Sequence, residues 1–393
     1  MARSSTLARE PSTTPRRFMI VATNEGGGDI QPLLAVAAGL LARSHTVVAF
    51  GDASVPQKMD PLGISTIVAA PELALGAQYA DLAHEAGHLS PERQTEWLRD
   101  RMISWAERLA PAIERAAEEQ RADVLVAALF GSGAVRLAAE RRGLPWVGVN
   151  STFYVGPNPP RPLEADFGTR TALFRDFFAP SLDRATLVLH ASDREFDFGF
   201  DGLPPHHHYA GPLFWNPIDV RPSYLTEPGD PWALVTLSSH TQDDVPIARA
   251  SIEGFRELPV RVLLTLGGHA DEDLGTPPEN ARVERYVAHD PVLERAALMV
   301  SSAGHGAVMR ALWHGVPMIL VPWGRDQGGV AARAERLGTA AVISREQLTA
   351  ALLGTTARRL LEDPTIAARV RSISRRMRTE DPVARACTML EAI

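Results

Sequence analysis

The sequence predicts an α/β protein made of two Rossmann-like domains that face each other across a cleft. Three observations carry this expectation. Short, wholly apolar runs of strand length alternate with amphipathic, helix-length stretches along most of the chain, the pattern of parallel strands covered by helices. The alternation stops once, at the proline-rich and aperiodic stretch Gly211–Pro231, and then restarts, which reads as an interdomain linker. The 393 residues suffice for two full cores.

Taken in order, residues 1–16 hold no apolar core and read as a frayed tail rather than a secretory signal. "RFMIVAT" (Arg17–Thr23) is a buried strand, followed by the loop "NEGGGD" and a helix from Ile30 to Arg43. "TVVAFG", "DVLVAALF", "PWVGVN" and "ATLVLHA" are further strands, and "PERQTEWLRDRMISWAERLAPAIERAAEEQ" has helical spacing. Phe153–Pro180 is rich in proline, glycine and aromatics. It suits either a mobile wall over an apolar ligand or a loop packed on its own domain. The first domain is thus 17–212 and the linker 213–231. The second domain, 232–378, carries "WALVTL", a helix from Pro246, "VRVLLTLGG", "ARVERYVAHD", "ALMVSSAG", "VPMILVPW" and "TAAVIS".

Composition excludes several classes. A net charge of −7 with interspersed signs offers no basic stripe, so nucleic acid is not an expected partner. Cys387 is the single cysteine, which rules out an internal disulfide or a cysteine-based zinc site and suits a reducing cytoplasm. No apolar stretch reaches membrane-spanning length, so stable membrane insertion is not expected and the chain reads as soluble. Oligomeric state is not legible.

The chemistry concentrates in Ser301–Gly329, "SSAGHGAVMRALWHGVPMILVPWGRDQGG". A strand ends in Ala303-Gly304-His305-Gly306, and a helix follows from Ala307 to His314. Glycines allow close backbone approach, and the helix N-terminus offers free N–H groups with partial positive charge, a natural seat for a phosphate or diphosphate. Asp326 and Gln327 follow another strand end and suit hydroxyls better than phosphate. Phosphate beside polyol indicates a nucleotide sugar. On the other side, Asp29 closes the loop after the first strand. A carboxylate there can accept a proton from an acceptor hydroxyl, or it can simply cap the helix that follows.

The stretch resembles the donor signature of family 1 glycosyltransferases of the GT-B fold, above all the bacterial enzymes that decorate antibiotics and other natural products. That pattern is His-Gly-Gly-x-Gly-Thr, then Ala-Leu, Gly-Val-Pro and Pro-x-x-x-Asp-Gln. Here Ser302 stands for the histidine, Ala303, Gly304 and Gly306 for the glycines, and Ala307 for the threonine; Ala311-Leu312, Gly315-Val316-Pro317, Pro322 and Asp326-Gln327 match. "LPPHHHYAGPL", "VTLSSHTQDD" and "ERYVAHDPVLERAALMVSS" fit as well. The resemblance implies a two-domain GT-B glycosyltransferase, inverting and without an obligatory metal. Its co-substrate is a nucleoside-diphosphate sugar, of uridine or thymidine, and its acceptor an apolar hydroxyl-bearing small molecule; no cofactor and no metal ligand are assigned.

It further implies donor binding by Ser239, Val287, His289, Ser302, Gly304, His305, Gly306, Ala307, Asp326 and Gln327, with Asp29 as general base. The acceptor-side candidates are Phe153 and Tyr154. The last residues, 379–393, are expected to return to the first domain. Ser302 and Ala307 lack the side chains that hold diphosphate, which leaves an alternative: a ligand-binding or auxiliary protein with weakened or lost transfer.

Other features have plainer readings. "HEAGH" (His84–His88) matches a zinc-peptidase pattern, but Gly87 and Pro91 oppose a sustained helix and no third ligand is evident, so the match is coincidence. His206-His207-His208 suits surface metal, yet reads better as the lead-in to a strand. His305 can donate to a phosphate oxygen or serve as a spacer, and Trp313 and Trp323 read as core or cleft wall.

Overall fold

The computed structural model describes residues 14–23, 27–79, 85–216, 221–239, 242–269 and 274–393. In the first domain the strands are β1 (Arg17–Ala22), β2 (Thr46–Gly51), β3 (Thr66–Val68), β4 (Val124–Ala128), β5 (Trp146–Asn150), β6 (Leu187–His190) and β7 (His207–Tyr209). They form one parallel sheet in the order β3-β2-β1-β4-β5-β6-β7. The second domain holds β8 (Trp232–Thr236), β9 (Arg261–Thr265), β10 (Ala281–Glu284), β11 (Ala296–Ser301), β12 (Met318–Leu320) and β13 (Ala340–Val342). These are also parallel, in the order β10-β9-β8-β11-β12-β13. The fold is α/β, with two Rossmann-like domains.

Strands such as β4, β5 and β8 are buried along their whole length, as expected where helices cover both faces of a parallel sheet. Strand order reverses between β1 and β4 and again between β8 and β11. Ligands of doubly wound sheets bind outside the strand ends at such switch points. The β1 and β4 ends carry Asp29 and Phe130, and the β8 and β11 ends carry Ser239 and Gly304, all lining one cleft.

The irregular segment 153–180 is packed on its domain and also contributes to the cleft wall. Leu163–Phe167, Thr171–Leu173, Phe174–Phe178 and Ala179–Leu182 are short helical turns. Phe153, Phe167 and Phe177 sit in the core, while Leu173, Phe174 and Phe178 face the cleft.

What fixes the domains together is legible only in three dimensions. Arg333, on the helix Gln327–Arg336 of the second domain, is fully buried against the first. Its Nη1 lies 3.0 Å from Asp166 Oδ2 and its Nε donates to Asp197 Oδ1 at 2.8 Å, all three side chains having no solvent exposure. Its guanidinium lies 3.5 Å from the centre of the Phe153 ring, a cation–π geometry. Asp197 also accepts the Tyr154 backbone N–H and the Tyr209 hydroxyl, each at 2.8 Å. The approach depends on Gly329, where a Cβ would stand 2.6 Å from the Phe153 ring and 2.9 Å from Asp166. At the margin, Arg376 grips Asp193 with two 2.7 Å hydrogen bonds.

The final helix, Pro382–Glu391, packs on the helix Ile30–Ala42 of the first domain. A Cβ on Gly39 would lie 2.6 Å from Cys387 Sγ, so the crossing is close. Glu391 pairs there with Arg43 at 2.6 Å and lies 3.1 Å from His45. Within the proposed linker, residues 217–220 fall outside the described residues, as does most of the N-terminal tail.

Removing Arg333 takes the buried cation from both carboxylates, leaving Asp166 with Arg161 at 3.4 Å and Asp197 with the Tyr154 and Tyr209 donors. Arg333→Met is expected to lower stability by about 3–5 kcal/mol in denaturant titration, the cost of breaking a buried ion pair from one side. A loss below about 1 kcal/mol would mean that the interface does not rely on this charge.

Candidate active site

The cleft between the sheets encloses about 560 Å³. Its floor on the first domain is Asp29, the last residue of a short turn, Gly27–Asp29, after β1. Its side chain makes no capping hydrogen bond to the helix Ile30–Ala42. Instead Oδ1 accepts the Ser151 hydroxyl and Oδ2 accepts the Phe130 backbone N–H at 3.4 Å. The capping role is therefore not the one Asp29 plays. Burial pushes its pKa from 3.8 up to about 6; the Ser151 and Phe130 hydrogen bonds oppose the rise, the Asp326 charge adds to it and Arg325 opposes it. A carboxylate poised just below neutrality suits general-base work.

The next residue after Ser151 reaches the other domain. Thr152 donates from Oγ1 to Asp326 Oδ2 at 2.7 Å. Burial raises the Asp326 pKa against the lowering effect of that bond. Neither Ser151 nor Thr152 was singled out from the sequence. Their signal was present: two hydroxyls directly after a buried strand, β5, at the sheet end where ligands bind. Asn150 shapes this turn, donating to the Phe153 carbonyl at 2.8 Å and accepting the Thr152 N–H at 3.2 Å.

On the second domain, β11 leads through Ser302 and Ala303 to Gly304 and then the helix His305–His314. Ala303 adopts φ +64°, and Ser301 Oγ accepts its N–H at 3.2 Å. A Cβ added at Gly304 or Gly306 would meet nothing within 4 Å, so the helix N-terminus opens onto free space. Ser239, Val287, His289, Ser302, Gly304, His305, Gly306, Ala307, Asp326 and Gln327 all line the same cleft as Asp29.

Several of these side chains are already engaged. Gln327 Oε1 accepts the Trp323 and Gly324 N–H groups at 2.8 and 3.0 Å, and its amide donates to Gln242 at 3.2 Å. It braces the loop before it and keeps mainly N–H capacity for a ligand. His305 Nε2 lies 3.2 Å from Ser192 Oγ of the first domain. Burial, with Arg333, drops its pKa to about 3, so it is a neutral ring. His289, also held neutral by burial with a pKa of about 4, lies 3.3 Å from Thr265 Oγ1.

Phe153 and Tyr154 are a correction. Both are fully buried and neither lines the cleft. The turn fixed by Asn150 sends Phe153 beneath Arg333 and stacks Tyr154 on Phe200, ring centres 5.3 Å apart. The apolar wall of the cleft on the first-domain side includes Leu129, Phe130, Leu173, Phe174 and Phe178.

His88 sits in an exposed turn, and His84 lies outside the described residues. Asp183, His206 and His207 do gather, with ligand-type atoms within 4.8 Å of one another. The Asn150 amide donates to His190 Nδ1 at 2.9 Å, so His190 Nε2 carries the proton it gives to His207 Nδ1 at 3.1 Å. That leaves His207 Nε2 protonated, without the lone pair a metal needs.

Residues 251–390 match the model of the erythromycin biosynthesis protein CIII-like, C-terminal domain. Demethyllactenocin mycarosyltransferase of Streptomyces fradiae is 32% identical over 174 residues, covering 44% of this chain but only 38% of that protein. O-mycaminosyltylonolide 6-deoxyallosyltransferase of the same species is 28% identical across 93% of this chain and 94% of its own length. The solved structure of the kitacinnamycin glycotransferase superposes with a TM-score of 0.76 at 22% identity, over 96% of this chain and 99% of that one. The chain has the GT-B fold, and its second domain is similar to that of the antibiotic glycosyltransferases named above. Among the described residues no helix is long and apolar enough to cross a membrane.

A buried carboxylate near pKa 6 has a stability signature. The raised folded-state pKa means that Asp29 ionises at a cost, and this cost appears as pH climbs from about 4 to about 6. Asp29→Asn is therefore expected to melt higher than the parent above pH 6, by up to about 3 kcal/mol, two pKa units' worth. The difference should vanish below pH 4. Equal melting at pH 7.5 would show that Asp29 is not held in this desolvated state.

Proposed function

We propose that this chain transfers a sugar from a nucleoside-diphosphate sugar to a hydroxyl of an apolar small-molecule acceptor, a natural product, with inversion at the anomeric carbon. The observation that carries the reading is Asp29, ionisable near neutral pH, in one cleft with the open helix N-terminus at Gly304–Ala307. The acceptor lies against Phe130, Phe174 and Phe178 with its hydroxyl at Asp29. Its oxygen forms a bond to the anomeric carbon as the bond from that carbon to the diphosphate oxygen breaks. The hydroxyl proton passes to the Asp29 carboxylate, and the electron pair leaves with the diphosphate. Because base and leaving group belong to opposite domains, attack is from the far face, which inverts the centre.

The departing charge is met by the N–H groups of Gly304–Ala307 and the helix dipole, with no metal required. Those groups do the work that Ser302 and Ala307 cannot do with their side chains. Asp326 accepts hydrogen bonds from sugar hydroxyls, Gln327 donates to them, and Val287 and His289 frame the nucleobase. The relatives named for mycarosyl and 6-deoxyallosyl transfer support a deoxysugar or hexose donor and a macrolide-like acceptor. The single, buried cysteine suits work in the cytoplasm.

The test is transfer from uridine- and thymidine-diphosphate sugars to polyketide aglycones, with products read by mass spectrometry and anomeric configuration by NMR. Asp29→Asn should keep donor affinity and lower turnover by about 100-fold or more, the scale of general-base loss. Unchanged turnover removes Asp29 from the chemistry. Asp326→Ala should weaken binding of the nucleotide sugar at least tenfold while leaving the bare nucleoside diphosphate nearly unaffected, because a hydrogen bond to a charged group is lost. Equal losses for both ligands would place Asp326 away from the sugar.

A further inference from the structure

The two carboxylates assigned to opposite substrates are held by consecutive residues of one turn. Ser151 donates to Asp29 and Thr152 donates to Asp326 at 2.7 Å. The turn itself is rigid. Asn150, with no solvent exposure, clamps the Thr152 N–H and the Phe153 carbonyl. Phe153 lies beneath Arg333, the residue that locks the domains together. Thr152 belongs to the first domain, yet it is the residue that fixes the rotamer of a second-domain side chain.

We propose that Ser151 and Thr152 act together as a positioning element, which sets the acceptor's base and the donor sugar's grip at a fixed separation across the domain boundary. This rests on the transfer reading above. Neither residue reacts; each acts through the carboxylate that it orients. A carboxylate offers about four acceptor sites, so the Thr152 bond and the backbone bond at Asp326 leave acceptor capacity for a sugar hydroxyl. Asp29 accepts one hydrogen bond on each oxygen, from Ser151 and from the Phe130 N–H, and keeps a lone pair to take the acceptor proton. The Ser151 bond also holds the Asp29 pKa below where burial alone would put it. The groups with charge toward Asp29 are Asp326, which raises its pKa, and Arg325, which lowers it. Both belong to the loop that Thr152 tethers, so slack at Thr152 alters the field at Asp29 as well as the sugar site.

Two single substitutions separate these effects. In Ser151→Ala, carbon-13 NMR of the Asp29 carboxyl should titrate about one unit higher than in the parent, since a hydrogen bond favouring the charged form is gone. Turnover should fall roughly tenfold with the Michaelis constant for donor unchanged. Ser151→Thr should restore both. In Thr152→Val, binding of the nucleotide sugar should weaken roughly tenfold, with binding of the bare nucleoside diphosphate unchanged; Thr152→Ser should recover it. An Asp29 titration that does not move in Ser151→Ala overturns the proposal whether or not the parent transfers sugar. So does a Thr152→Val protein with parental sugar affinity. A parent with no transfer or nucleotide-sugar affinity, but with the Ser151→Ala titration shift intact, defeats the transfer reading and leaves Ser151 as the holder of Asp29.

Discussion

Everything in the cleft depends on one buried cation. Arg333 crosses from the second domain into the first and finds Asp166, Asp197 and the face of Phe153 there, with no water-exposed surface left on the three charged side chains. A guanidinium can satisfy two carboxylates and an aromatic face at once because its donors lie in one plane. Burial still pushes the Asp166 carboxyl upward despite the neighbouring cation. The arrangement thus specifies how the domains meet more than it stabilises them. The apolar core is continuous through this junction, from Phe153 and Phe167 of one domain to Val330 and Ala334 of the other.

That junction brings two sheet switch points face to face, and with them a pair of buried carboxylates. Asp29 and Asp326 each carry a raised pKa caused first by burial, and the Asp326 charge adds to the shift at Asp29. A fold selected only for stability would neutralise such a pair or expose it. Here hydroxyl and backbone donors hold both in place without using all of their acceptor capacity, and the cost of keeping Asp29 desolvated is the source of its basicity. Stability and reactivity are opposed at this residue.

The sequence carried the architecture because parallel strands buried on both faces read as unbroken apolar runs, and because the linker interrupts them with prolines. The second-domain lining of the cleft was legible too: a glycine-rich turn between a strand and a helix is a local feature, and so is Asp326-Gln327 after a strand end. Long-range pairings were not. Arg333 sits in "AARAERLG", which looks like the polar face of a surface helix, and nothing local marks it as buried. Ser151 and Thr152 become informative only once β5 is known to end beside β1. Aromatic character suggests Phe153 and Tyr154 for the cleft wall, but the Asn150 turn directs both into the core, and Leu129, Phe130, Leu173, Phe174 and Phe178 line the cleft instead.

The most direct test of a catalytic Asp29 is the pH dependence of kcat/KM for the acceptor at saturating donor. An acid limb breaking near pH 6, where Asp29 loses its proton, and absent from the residual rate of Asp29→Asn, is the expected result. A profile flat from pH 5 to pH 8, or a limb that persists in Asp29→Asn, would contradict the assignment of Asp29 as the base.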